Sequence, residues 1–347
     1  MRGKKRISTA FVLALALVLA ACGGTDDAEE PAADAAEDTA DDTGDDATED
    51  DGDAAGGEGG TIAIITVDPS NPFWAAEVDA AVEEAESLGY DTTVNAHNND
   101  ADQQSQFIDG AISAGVVAII LDPAGAEESV GAVQRATDAG IPVFLVNAEI
   151  AEQGIAQSQL VSNNAQGATL GAQEFADAMG GEGTYVELLG NPTDNNARVR
   201  SDAYAEVLSQ FPDLELLQQE TANWDRVQGK ERMDTLLSAH PDLEGVISGN
   251  DEMALGAIES LREAGRLDDV VVLGFDGNQD AVDAVIAGEM IATVLQPIVE
   301  LSRMAVQQMD NYLRTGETGV DIEKQDIDTI LITPENADRF ENFVPLD

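Results

Sequence analysis

From residue 61 onward, short apolar runs alternate with longer stretches in which apolar residues recur every three or four positions. The runs at 61–67, 91–96, 116–122 and 142–147 form a first series of predicted strands. A second series falls at 184–190, 214–221, 245–249, 270–276 and 291–296. Predicted helices occupy 73–88, 102–114, 126–139, 165–179, 197–211, 226–239, 253–264 and 298–315. Several close with helix-stop chemistry: Leu88-Gly89, Ala114-Gly115, Ala139-Gly140-Ile141-Pro142 and Ala264-Gly265. Strands that are apolar along their length and separated by helices belong to parallel sheets covered on both faces. The pattern predicts an α/β protein with two successive doubly wound lobes, each built on its own parallel sheet.

Ligands of such sheets sit beyond the carboxyl ends of the strands. Here those ends carry Thr66 and Asp68 to Trp74, then Asp122-Pro123, Asn147, Asn191 to Arg198, Asn250-Asp251, Asp276-Gly277 and Gln296-Pro297. Carboxylates, amides and an arginine supply the paired donors and acceptors that hydroxyl groups need. Phe73, Trp74 and Trp224 offer aromatic faces for the C–H side of a sugar ring. Each Asp or Asn taken singly could be a turn or helix-cap residue. Their coincidence at successive strand ends points to a polyhydroxylated ligand.

The first sixty residues have a different character. Arg2, Lys4, Lys5 and Arg6 precede an apolar run at 11–21, too short for a stable span and ending in small residues before Cys22. Residues 1–21 therefore read as a secretory signal, and Leu19-Ala20-Ala21-Cys22 resembles the bacterial lipobox, where the cysteine receives the lipid. Cys22 is the only cysteine, so no internal disulfide can form. Residues 22–60 should form a lipid-anchored, disordered acidic tether: sixteen carboxylates lie between Asp26 and Glu58 with no Lys or Arg among them.

Of the 68 acidic and 16 basic side chains, 52 and 12 remain after residue 60, and only Lys230 and Lys324 of those 12 are lysines. So negative a surface excludes nucleic acid as a partner, because phosphate contacts need clustered cations. It suits a saline medium, where screening weakens self-repulsion. An enzyme is not expected either. The chain has two histidines, His97 and His240, and no metal-ligand spacing, phosphate-cradling loop or nucleophile–base pair can be assembled. No cofactor and no metal are expected.

At this point the residues resemble a known family. From Thr61 on, the chain is similar to periplasmic sugar-binding proteins of the ribose-binding type, with the type I periplasmic-binding fold. The resemblance rests on Asn71-Pro72-Phe73-Trp74, Asp122-Pro123, Ala197-Arg198, the run from Asn250 to Ala257, Gly274-Phe275-Asp276-Gly277, and Thr293 to Pro297. It implies that Phe73, Trp74 and Trp224 sandwich the ligand ring. Asn71, Arg198, Asn250, Asp276 and Gln296 would bind its hydroxyls, with Asp122 and Asn147 beside the same cleft. It also implies a three-segment hinge near 162–165, 296–298 and 325–329. The first lobe would then comprise 61–163 plus 298–326, and the second 164–297 plus 327–347.

One departure bears on the ligand. Ribose binders carry an Asp-Arg pair after the fourth strand, whereas this chain has Asn147-Ala148 followed by Glu149. Losing a bidentate arginine removes a strong, directional contact. Another pentose, a hexose or a sugar alcohol fits as well as ribose. The expected protein is a monomer, lipid-anchored outside the cytoplasm, that delivers its ligand to an ABC permease and ATPase. The alternative is that it feeds a membrane sensor. A transcriptional regulator sharing the fold would need a basic helix-turn-helix ahead of the lobes, where the signal and the tether stand.

Overall fold

The computed structural model describes residues 59–346; the expected signal, Cys22 and the tether lie outside the described residues. The first lobe begins with β1 (Thr61–Thr66), α1 (Pro72–Ser87), β2 (Asp91–Ala96), α2 (Ala101–Ala114), β3 (Ala118–Leu121), α3 (Val130–Asp138), β4 (Val143–Asn147) and β5 (Ser158–Ser162). The second is built from α4 (Asn164–Ala178), β6 (Glu182–Leu189), α5 (Asn195–Leu208), β7 (Asp213–Thr221) and α6 (Arg226–Ala239). It continues with β8 (Gly245–Ser248), α7 (Asp251–Ala264), β9 (Val271–Leu273), α8 (Gln279–Ala287) and β10 (Thr293–Leu295). The chain then returns to the first lobe through α9 (Ile298–Thr315) and β11 (Lys324–Ile327), and leaves it again in β12 (Ile330–Ile332). A short hairpin of β13 (Phe340–Glu341) and β14 (Val344–Pro345) follows.

The first sheet has the order β11-β5-β4-β3-β1-β2 with all neighbours parallel. The second has the order β7-β6-β8-β9, also parallel. Isolated parallel bridges, Leu273 to Ala292 and Asp276 to Leu295, attach β10 beside β9. The apolar runs have a direct physical reason. In β1, Ile62 and Ile64 face one buried cluster while Ala63 and Ile65 face another, so no position alternates to solvent. In β8, Val246 and Ile247 divide between two clusters in the same way.

The chain passes between the sheets at three places: β5 to α4, β10 to α9, and β11 to β12. The first and third crossings are tied together. Asn163 Nδ2 donates to Asp328 Oδ1 at 3.0 Å, and Thr329 N donates to Gln166 Oε1 at 3.0 Å.

The elements depart from the sequence pattern in a few places. The strand β5 reads Ser-Gln-Leu-Val-Ser, whose polar ends break the apolar run, yet all five residues are buried in the sheet. The helix α8 and the strands β11 and β12 also fall where no element is predicted. The third helix begins at Val130 rather than 126, because Ala126 is held instead by Thr193 O and is the site of a turn. Among the described residues, no helix is long and apolar enough to cross a membrane.

Candidate ligand-binding site

The carboxyl ends of both sheets face one another across a small space. It is lined by Asn71, Phe73, Trp74 and Asn147 from the first lobe, and by Asp194, Asn196, Arg200, Trp224, Asn250 and Asp276 from the second, with Gln296 at a crossing segment.

The two asparagines that start helices each serve twice. Asn71 Oδ1 accepts from Phe73 N and caps α1, which leaves its amide nitrogen to reach Trp224 O at 3.4 Å. Asn250 Oδ1 caps α7 by accepting from Met253 N, and its Nδ2 reaches the same Trp224 carbonyl at 3.3 Å. Each amide keeps a second N–H for another acceptor. Cap and site are one residue in both cases.

Trp74 is pinned at the indole nitrogen: its Nε1 donates to Asp122 Oδ2 at 2.9 Å. Trp224 follows β7 in a loop where its own φ is 67°. A Cβ at Gly190 would run into the Trp224 ring, so the absence of a side chain there makes room for the indole. Asn147 and Asp276 also have positive φ, 66° and 135°. Three non-glycine residues in sparsely populated backbone regions therefore meet at one cavity, a concentration typical of functional sites.

The charged centre lies on the second lobe. Arg200, 3% exposed, donates from Nε to Asn164 Oδ1 at 2.7 Å and from an Nη to Gly249 O at 2.7 Å, and faces Asp276 Oδ1 at 3.4 Å. Its guanidinium lies 3.9 Å from the Phe275 ring centroid and 5.2 Å from that of Trp224. Gln296 Nε2 donates to Asp276 Oδ1 at 2.7 Å. Burial pushes the Asp276 carboxyl well above its ordinary range, against the pull of Arg200 and with a further push from Asp251.

Asp251 fixes the loop that carries Asp276. Its Oδ2 accepts from Gly277 N at 2.7 Å and Asn278 N at 2.9 Å, and its Oδ1 accepts from Thr293 Oγ1 at 2.6 Å. Burial raises its pKa to about 6 despite these bonds. On the first lobe, Asn147 Nδ2 donates to Asp122 Oδ2 at 2.8 Å. His97 lies outside the cavity: its Nε2 meets Asp122 O at 2.8 Å and its Nδ1 accepts from Asn99 N. Burial lowers its pKa, so the ring is neutral.

Two side-chain oxygens at the cavity, Asn147 Oδ1 and Gln296 Oε1, are buried without a hydrogen-bond partner among the described residues. A buried acceptor left unpaired costs about 1–3 kcal/mol, so these atoms call for donors from a ligand. The remaining groups at the cavity combine amide donors, a guanidinium, a carboxylate and aromatic faces. That set suits a small molecule rich in hydroxyls.

The structure brings together Asn71, Phe73, Trp74, Asn147, Trp224, Asn250, Asp276 and Gln296, as the sequence predicts. Asp122 stands one layer back, holding Trp74 and Asn147. Arg198 is a correction. Its side chain is 67% exposed and pairs with Asp202 at 3.1 Å, on the outer face of α5. The arginine at the cavity is Arg200, two positions later and therefore on the opposite face of the helix. Asn196 and Asp194 are further lining residues, inside the strand-end stretch from Asn191 to Arg198 but not singled out by the sequence. Glu149 lies elsewhere: it accepts from Asn195 Nδ2 at 2.6 Å and pairs with Lys324 at 2.6 Å. Among the described residues, no group of His, Cys, Asp and Glu could hold a metal ion.

A family model described as "Periplasmic binding protein domain" matches residues 62–318. The D-apiose import binding protein of Actinobacillus succinogenes is 49% identical over 82% of this chain and 92% of that protein. The ribose import binding protein of Escherichia coli is 32% identical over 73% of this chain and 85% of that protein. A solute-binding protein of an ABC transporter from Bacillus halodurans, solved with bound myo-inositol, superposes with a TM-score of 0.77 at 28% identity, covering 82% of this chain and 98% of that one. With the paired parallel sheets, the three crossings and the strand-end cavity in place, the match over 62–318 makes this chain a member of the periplasmic binding protein family.

Proposed function

We propose that this protein is the extracytoplasmic solute-binding component of an ABC importer and that it captures a pentose-sized monosaccharide, D-apiose first among them, between two closing lobes. The observation that carries the reading is the pair of unpartnered acceptors, Asn147 Oδ1 and Gln296 Oε1, in a cavity walled by Phe73, Trp74 and Trp224. Hydroxyl donors satisfy those oxygens, the aromatic rings take the C–H face, and Arg200 donates to ring or hydroxyl oxygens. The two relatives that are 49% identical, from Actinobacillus succinogenes and Paraburkholderia graminis, are both D-apiose import binding proteins, which supports the choice of sugar.

Binding would proceed by contact with one lobe and closure of the other, the closed form being favoured only by its added contacts. The lobes would be 61–163 plus 298–326 and 164–297 plus 327–347. Lipidation at Cys22 would anchor the protein as a monomer outside the cytoplasm, its partners being the permease and ATPase. It carries out no catalysis in this reading.

Isothermal calorimetry of residues 59–347 against D-apiose, D-ribose, myo-inositol and glycerol tests it. D-apiose should bind, and D-ribose more weakly, since Ala148 supplies no guanidinium. A panel in which no sugar or polyol binds would overturn the reading. Tight myo-inositol binding with no D-apiose binding would replace the monosaccharide by a polyol.

A further inference from the structure

Behind the first-lobe wall of the cavity lies a pair of carboxyls that the binding reading does not use. Glu77, on α1 one turn beyond Trp74, is 1% exposed, and Asp122, after β3, is also 1% exposed. Thr66 Oγ1 holds Glu77 Oε1 at 2.8 Å, and Asp122 N donates to Ile65 O at 2.9 Å on the same strand as Thr66, so the two carboxyls lie side by side. Each raises the other's cost of ionisation, and neither forms an ion pair among the described residues. Two carboxylates in one dry site without a cation cannot both be ionised at modest cost.

The hydrogen bonds assign the proton. Asp122 Oδ2 accepts twice, from Trp74 Nε1 at 2.9 Å and Asn147 Nδ2 at 2.8 Å, as an ionised carboxylate does. Glu77 Oε1 accepts from Thr66 Oγ1 at 2.8 Å, while Glu77 Oε2 is buried with no acceptor or donor bonded to it. A proton on Oε2, shared toward Asp122, removes that orphan.

The other groups facing the pair do not supply a rival charge. Thr66 comes from β1 and Asn147 from the end of β4, both neutral. His97, after β2, touches only the Asp122 carbonyl and is neutral. Asp194, from the second lobe, acts on Asp122 only as a further negative charge. Burial, with Asp122 adding to it, holds the Glu77 carboxyl well above its ordinary range; burial pushes Asp122 to about 7, with the Asn147 bond opposing the rise.

We propose that Glu77 is a positioning residue for the sugar site: it stays protonated, donates to Asp122, and so fixes the one acceptor that orients both Trp74 and Asn147 toward the ligand. Its role in affinity rests on the sugar-binding function proposed above. Its protonation does not, and is read without any ligand.

The test joins infrared spectroscopy to a conservative rescue. At about pH 8, where ordinary carboxyls are ionised, the difference spectrum between wild type and Glu77→Gln should contain the carbonyl band of a protonated carboxylic acid. Glu77→Ala should weaken D-apiose binding about tenfold or more, since it leaves a buried charge unpartnered. Glu77→Gln, which can accept from Thr66 and donate to Asp122, should recover most of that loss. A difference spectrum without the acid band would overturn the proposal. So would a Glu77→Gln variant that binds as poorly as Glu77→Ala. If wild type binds no sugar, the functional reading fails, and the infrared result alone decides the protonation of Glu77.

Discussion

On the second lobe, the carboxylate at the cavity faces a guanidinium that is itself buried; on the first, the carboxyl behind the cavity wall faces another carboxyl. Asp276 has Arg200 at 3.4 Å and Gln296 at 2.7 Å. Asp122 has Trp74, Asn147 and Glu77, with no cation among them. The contrast shows two ways to keep negative charge in a dry site. The first uses a fixed counter-charge, which adds a strong donor for the ligand but leaves a large penalty if either partner is lost. The second uses a proton, which leaves a single negative charge on the carboxyl pair and lets that wall present amide and aromatic faces. In the proposed reading, a ligand between them would meet charge on one side and amide and aromatic groups on the other.

The largest expected effect breaks the charged side. Arg200→Leu strands Asp276 and removes a buried donor, so ligand affinity should fall by about 2–5 kcal/mol, or about thirtyfold to a few thousandfold in calorimetry. Chemical denaturation should show stability lost as well, by about 3–5 kcal/mol. Affinity unchanged within twofold would mean that the charged pair only braces the loop after β9.

A second proton on the other side should appear in pH dependence. With Glu77 already protonated, Asp122 takes up a proton in the folded chain below about 7, whereas the unfolded chain binds it only near the ordinary value of 3.8. The native state therefore binds more protons between these limits, and this group's contribution to stability falls as pH rises through that window. Denaturant titrations should show a downward slope that Asp122→Asn flattens, the difference amounting to a few kcal/mol on the order of magnitude. Equal slopes would place the raised pKa elsewhere.

A smaller effect concerns the aromatic faces. Trp224→Ala should weaken binding by about 0.5–1.5 kcal/mol beyond the lost contact area, with the fold intact by circular dichroism. The smallest sharpens the comparison between two neighbouring arginines. Arg198→Ala should leave affinity within about twofold, because exposed pairs contribute little, about 0–1 kcal/mol at most. A large loss there would return Arg198 to the site and displace Arg200.

How much of this could be read from the chain depends on the element. Strands buried on both faces announce themselves as apolar runs, and β1, β4 and β8 were legible for that reason. The polar ends of β5 hid it, since Ser158 and Ser162 are buried without any apolar signal of their own. Residues at strand ends, such as Asn147 and Asp276, follow from topology alone. The choice between Arg198 and Arg200 does not, because it depends on the phase of a helix. That phase was nevertheless present: Ala203, Tyr204, Val207 and Leu208 form the buried stripe of α5, and stepping back by four from Tyr204 and again from Arg200 gives Arg200 and Asn196. Glu77 gave no such sign, since a lone glutamate on a helix ordinarily faces water.

The strand order of the first sheet has a consequence for how the chain matures. Its edge strand β11 pairs with β5 in the register Lys324 to Gln159, and α9 covers β4 and β5 while lying along α1. Nearly the whole second lobe, from α4 to β10, is synthesised between these partners. A nascent chain that has completed β5 still lacks its edge strand and the helix that buries one face. Those contacts require closing a loop of more than a hundred residues, which slows folding relative to local pairing. The second lobe, by contrast, has nearly all of its sheet in one uninterrupted stretch from β6 to β10. It can gather first, and the return of α9 and β11 is then the step that completes the first lobe and, with it, both walls of the cleft.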